Sequence, residues 1–238
     1  MIILALDSTA TVSSVAICSN ERLLCQYTLN NGNTHSETLL PMIEDALSSL
    51  HLCAGDVDLF ACSQGPGSFT GVRIGAATVK GLAFAKGKKC VGVSTLEALA
   101  LNMLGIRGII APVMNARRSQ LYNALFRSDG TRIERLTPDR AIATEDLLAQ
   151  LRDEYSGEPV YFVGDGYDIA IDQIKLECVQ KTPSLLQMQS AYSVALAALK
   201  VLCENPDADF SDEALRATYL RPCQAERERL EREAKKEQ

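Results

Sequence analysis

Histidine is nearly missing from this chain: its 238 residues include two, His35 and His51. They stand at opposite ends of one helix-like segment, so they cannot form the i, i+4 pair that grips zinc on a helix face. A Ser/His/Asp triad would have to draw its base from the same two residues, and Ser68 lacks the G-x-S-x-G elbow. C-x-x-C pairs are missing as well. The eight cysteines, at 18, 25, 53, 62, 90, 178, 203 and 223, mostly sit in apolar segments. That pattern reads as small core residues kept reduced in a cytoplasmic setting. Positive charge is not in excess, the net charge being −6 and the pI near 5.1. A phosphate backbone rewards clustered Lys and Arg, so RNA would be reached only with the help of a partner. No apolar run is long enough to span a bilayer. The opening Met1-Ile2-Ile3-Leu4-Ala5-Leu6 reads as a strand, without the basic region of a signal peptide.

What the chain does have is apolar residues, at 47% ample for a buried core. Ile2 to Leu6, Val12 to Cys18 and Leu23 to Leu29 read as a strand and a hairpin, with Ser19-Asn20-Glu21-Arg22 as the turn. His35 to Leu52 repeats leucine and isoleucine at helical spacing behind Thr34 as N-cap, and Pro41 fits only near the helix start. Val57 to Cys62 is a buried strand. A helix to about Lys86, a strand at Cys90 to Val93 and a helix from Ser94 or Thr95 follow. Near residue 109 a second cycle begins: Ile109 to Met114, Gln120 to Phe126 and Thr131 to Leu136 as strands, Glu145 to Leu151 as a helix, Val160 to Val163 as a buried strand. Ser190 to Cys203 is a long amphipathic helix. The repetition predicts two related α/β halves, each a mixed sheet covered by helices. Gly105 and Gly108 break the pattern and divide the chain into residues 1–105 and 106–222. The charged stretch 223–238 reads as a tail or terminal helix.

The most informative run is Ser63 to Gly75, in which Gly65, Pro66 and Gly67 link an apolar strand to a helix. Gly65 and Gly67 let a ligand or a second chain approach the backbone, and Ser68 is placed to cap a helix whose first N–H groups suit an anion. The same features suit a packed turn, and the spacing matches neither a P-loop nor a dinucleotide fingerprint. Asp7-Ser8-Thr9, just past the first strand, offers a carboxylate and two hydroxyls to a metal-bound phosphate, or simply an Asx turn. Asn115 takes the equivalent place in the second cycle and carries no charge, which weakens a phosphotransfer reading. Gly164-Asp165-Gly166 is a turn after another apolar strand.

The two early helices hold more apolar residues than one sheet-facing stripe needs. Leu39, Leu40, Ile43 and Leu47 on the first, and Phe69, Thr70, Val72, Arg73, Ile74 and Ala76 on the second, are either a face for a partner protein or fully buried.

Together, Leu4 to Thr9, His35 to Pro41, Gly65 to Gly75, Gly92 to Leu96, Asn115 to Arg118 with Tyr122, and Tyr219-Leu220-Arg221-Pro222 resemble the TsaB family of bacterial tRNA threonylcarbamoyladenosine biosynthesis proteins, once labelled glycoproteases. The likeness runs in order through nearly the whole chain, and its glycine segment is highly specific. It implies an actin-like, ribonuclease H-like fold of two related subdomains. It further implies a non-catalytic partner of the paralogue TsaD and the ATPase TsaE, in an assembly that transfers a threonylcarbamoyl group to the adenosine beside the tRNA anticodon. The early helices would then serve for pairing with TsaD, or with a second copy when alone. Asp7, Ser8, Thr9, Gly65, Gly67 and Asn115 would be vestiges of a nucleotide site. ATP and a metal would belong to the complex, and tRNA would be met only through it. In TsaD-like relatives this stretch carries a metal-binding H-x-x-x-H, where Thr95 and Leu99 stand here; a hydroxyl and a leucine are no home for a transition metal. Asn115 also departs from the family's usual Asp-Ala-Arg. An actin-like phosphotransferase using Asp7 is the alternative expectation, and a metal-dependent peptidase a remote third.

Overall fold

Strand β1 (Ile2–Asp7) is apolar up to its last residue because both of its faces are covered, and it forms the middle of the first sheet. The computed structural model describes residues 1–117 and 120–221, so Arg118, Pro222 and the charged tail lie outside the described residues. The first sheet runs β3-β2-β1-β4-β5, with β2 (Ser13–Ser19) and β3 (Arg22–Leu29) as an antiparallel hairpin on one side of β1. On the other side β4 (Leu59–Ser63) and β5 (Lys89–Val93) are parallel to it. Helices α1 (His35–Ser49) and α2 (Phe69–Lys86) lie on one face. Glu37 reaches back to accept the Thr34 N–H at 3.3 Å and its hydroxyl at 2.7 Å, closing a capping box, and Pro41 is accommodated in the second turn.

The second sheet repeats the scheme around β6 (Arg107–Asn115): antiparallel neighbours on one edge, then β11 (Val160–Val163) and β12 (Val179–Gln180) in parallel on the other. The predicted strand Gln120 to Phe126 is broken in two, β7 (Gln120–Asn123) and β8 (Phe126–Asp129), both paired antiparallel to β6. The break falls opposite Ala111 and Pro112. Proline has no N–H for the ladder, and the Asn123 side chain bridges the gap by donating to the Pro112 carbonyl at 2.9 Å. The Thr131 to Leu136 stretch shortens to β9 (Ile133–Arg135). Strand β10 (Arg140–Ala143), helix α5 (Tyr167–Gln173) and helix α6 (Ser184–Gln187) carry too little periodicity to be read from the sequence.

Helices α3 (Thr95–Leu101) and α7 (Ala191–Glu204) lie between the sheets. The α7 helix packs its alanines on the first sheet against Ile3, Ala5 and Leu59, although it comes from the segment that follows the second. The α3 helix turns Leu96 and Leu99 toward Ile110, Met114 and Phe126 of the second sheet, while α4 (Thr144–Tyr155) and α5 cover its far face. An ion cluster fastens this middle layer. Glu97 on α3 pairs with Lys200 at 2.7 Å and Arg135 at 3.2 Å, while Ser94 donates to Asp139 at 2.6 Å. Burial would raise the Glu97 carboxyl, but the two cations hold it below its ordinary value. Among the described residues all cysteines are free thiols, and no helix is long and apolar enough to cross a membrane.

The burial pattern corrects one expectation directly. Leu39, Ile43, Leu47 and Ala76 lie at or below 8% exposure, packed against Leu4, Leu6, Val15 and Phe60, and Val72 is fully buried. They are core rather than surface, because α1 and α2 must cover a whole sheet face between them.

Candidate functional site

Three strand ends and one helix start converge on a cleft of about 510 Å³ between the two halves. Its walls are Thr9 to Thr11 after β1, Gly67 to Thr70 at the start of α2, Met114 to Arg117 with Tyr122 around the β6–β7 hairpin, and Asp165 after β11. The equivalent ends of the two repeated sheets therefore face each other, which is where ligands collect on open α/β sheets.

On the first wall, Asp7 is buried and bonded on both oxygens. Its Oδ1 accepts from the Thr9 N–H and hydroxyl, each at 2.8 Å, and its Oδ2 accepts from Ser63. Burial pushes the carboxyl above its ordinary value, and those hydrogen bonds pull it back. The Asx turn is thus the observed role. Glycine makes the next contact: a Cβ on Gly71 would stand 1.9 Å from the Ser8 carbonyl oxygen, and one on Gly67 2.5 Å from that of Thr9. Ser68 caps α2 by accepting from the Gly71 N–H at 3.3 Å, and its own N–H donates to the Thr9 carbonyl at 2.7 Å. His35 braces the same turn. Its Nε2 donates to the Ala10 carbonyl and its Nδ1 meets the Ser13 hydroxyl, both at 2.7 Å. His51 is exposed at the end of α1.

The opposite wall carries a carboxyl that the sequence shows only as part of a turn. Burial pushes Asp165 up to about 6, with the Asp7 charge adding to the rise, and its Oδ1 has no hydrogen-bond partner among the described residues. Asn115 is exposed beside it and accepts the Arg117 N–H at 2.8 Å, which supports a positive φ of 62° at Arg117. Of the expected vestigial nucleotide residues, Thr9, Gly67 and Asn115 line the cleft, while Asp7, Ser8 and Gly65 do not. Thr95 and Leu99 are buried, do not line it and offer no metal donor set. Among the described residues no group of three His, Cys, Asp or Glu could hold a metal.

The candidate partner residues divide. On α2, Phe69 and Ile74 are half-buried and Thr70 and Arg73 exposed; on α1, Leu40 is 51% exposed. Phe84, another of the apolar residues of α2, is 76% exposed near the end of the helix. Ala77 and Gly81 are also exposed on α2.

Two mixed sheets of the same order, flanked by helices and facing each other across a cleft, define an actin-like, ribonuclease H-like protein. The particular family follows from comparison. The chain belongs to the family of TsaD, tRNA N6-adenosine threonylcarbamoyltransferase, whose sequence model matches residues 24–235, and within it resembles TsaB proteins. It is 28% identical to the tRNA threonylcarbamoyladenosine biosynthesis protein TsaB of Bacillus subtilis (strain 168), over 97% of this chain and 99% of that one. It is 31% identical to the protein of the same name from Escherichia coli (strain K12), over 70% and 72% respectively. The solved structure of YeaZ from Pseudomonas aeruginosa superposes with a TM-score of 0.76 at 25% identity, covering 92% of this chain and 99% of that one.

Proposed function

We propose that this chain is a partner subunit in the making of threonylcarbamoyladenosine in tRNA, working in the cytoplasm beside a TsaD-like catalytic paralogue and a TsaE-like ATPase. The end-to-end likeness to named TsaB proteins carries the reading. Residue chemistry supports a non-catalytic role: Thr95 and Leu99 replace the ligand pair, and the Asp7 carboxylate is occupied by Thr9 and Ser63. ATP and the metal then belong to the complex, and tRNA is met through it. Reconstitution tests this. Leaving the chain out of a mixture of its partners with threonine, bicarbonate, ATP and tRNA should abolish modification, and undiminished product would remove the proposal.

The docking face is the outward strip of α1 and α2, used for the catalytic paralogue or, when the chain is alone, for a second copy. Leu40 and Phe84 are its large apolar members, and Thr70, Ala77 and Gly81 keep α2 smooth enough for another helix to approach. The core residues Leu39, Ile43, Leu47 and Ala76 hold the strip in shape from beneath. Replacing Leu40 and Phe84 together by Glu should weaken capture of the paralogue by at least about tenfold, as loss of central apolar anchors does. The thermal midpoint should stay put, since both side chains are exposed. Unchanged capture by the folded double variant would move the interface elsewhere.

A further inference from the structure

Among the described residues after α7 there is no regular helix or strand, yet residues 205–221 follow a defined course from the first half to the second. Cys90 on β5 donates its N–H to the Phe210 carbonyl at 2.9 Å, and the Leu215 side chain enters the core beneath α2. Thr218 donates to the Gln64 carbonyl at 2.7 Å, just before the glycine turn. Its carbonyl oxygen lies 2.3 Å from where a Gly65 Cβ would stand. Tyr219 then stacks on Phe69, with ring centres 4.6 Å apart and 6° between planes, and accepts from Arg73 Nε at 2.9 Å. Leu220 packs against the cluster that holds Ala116 and Tyr122, and Arg221 Nη1 donates to the Ala116 carbonyl at 2.8 Å.

Phe69 lies on one wall of the cleft and Ala116 on the other. We propose that Thr218 to Arg221 form a clasp that holds these walls together and sets how far the cleft opens. The three residues Tyr219-Leu220-Arg221 divide the work: an aromatic on the α2 wall, an apolar side chain in the second half, and a guanidinium on the hairpin carbonyl. A handful of side-chain contacts on an irregular segment belongs to the low end of local stability, so the clasp opens while both sheets stay folded. Arg73 joins the clasp to the outer face of α2, so a change at that face reaches the cleft through Tyr219.

Hydrogen exchange read by mass spectrometry on the full chain tests this with Arg221→Ala and Tyr219→Ala. Both variants should speed exchange about tenfold in residues 65–71 and in residues 114–117 and 120–122, the equivalent of one charge-assisted hydrogen bond. Strands β1 and β11 should exchange as in the parent, and Arg221→Lys, which keeps one donor, should fall between. Two results overturn the clasp. In one, exchange quickens only within residues 210–221 while both walls keep parent rates. In the other, β1 and β11 quicken as much as the walls, which makes the segment general ballast rather than a local device.

Discussion

Gly71→Ala is expected to leave little folded protein. The new Cβ would sit 1.9 Å from the Ser8 carbonyl oxygen, a backbone atom rather than the end of a flexible side chain. That carbonyl has nowhere to go. Asp7 ties down the Thr9 N–H, Ser68 donates to the Thr9 carbonyl, and the Ser8 hydroxyl donates to the Gly71 carbonyl at 2.9 Å. Relieving the clash requires prying the first turn of α2 off the end of β1, at a cost of at least about 3 kcal/mol, a large part of what an ordinary domain has. Gly81 in the same helix is the control. A Cβ added there would meet no atom of the described residues within 4 Å, so Gly81→Ala should instead gain about 0.5–1 kcal/mol from reduced chain entropy. Denaturant midpoints measure both, and a Gly71→Ala midpoint within error of the parent would refute the packing argument.

That contrast shows how the glycine run was legible and where legibility stopped. Strand, turn and helix start follow from residues 59–75 alone, since apolar run, Gly-Pro-Gly and Ser cap act locally. Whether the glycines admit a ligand or the chain's own backbone depends on Ser8, Thr9 and Thr218, which are distant in sequence. The outcome is mixed: Gly71 and Gly65 admit backbone, while Gly67 touches Thr9 and also lines the cleft. The two related halves were readable because the strand pattern repeats, and the break between β7 and β8 was not, because it depends on Pro112 lying across the ladder. The excess of apolar residues on α1 and α2 misled for a related reason. Periodicity counts a helix's apolar residues without knowing the width of sheet that it has to cover.

Asp165 was the hardest to see, and the second large effect attaches to it. Asp165→Asn is expected to stabilise the protein above pH 6 and to change nothing below about pH 4. In the folded chain the carboxyl titrates at about 6, against 3.8 for the ordinary group, because burial and then the neighbouring Asp7 charge oppose ionisation. The sign follows from proton binding. Between those two values the folded state holds a proton that the unfolded chain has released, so stability falls as pH rises through the window, and the full cost is present above it. A shift of this size corresponds to about 3 kcal/mol at most. Asparagine keeps the shape and removes the charge, so the difference between variant and parent should grow from zero near pH 4 to a plateau above pH 6. Acids held low in the folded state, such as Asp129 at about 2 and Glu97, give the opposite slope at lower pH, but they are common to both proteins and cancel in the difference. Unfolding measured in urea across pH 4 to 8 decides the matter: parallel profiles for parent and variant would mean that Asp165 is ionised without penalty, and that water or a cation satisfies its orphan oxygen in the cleft.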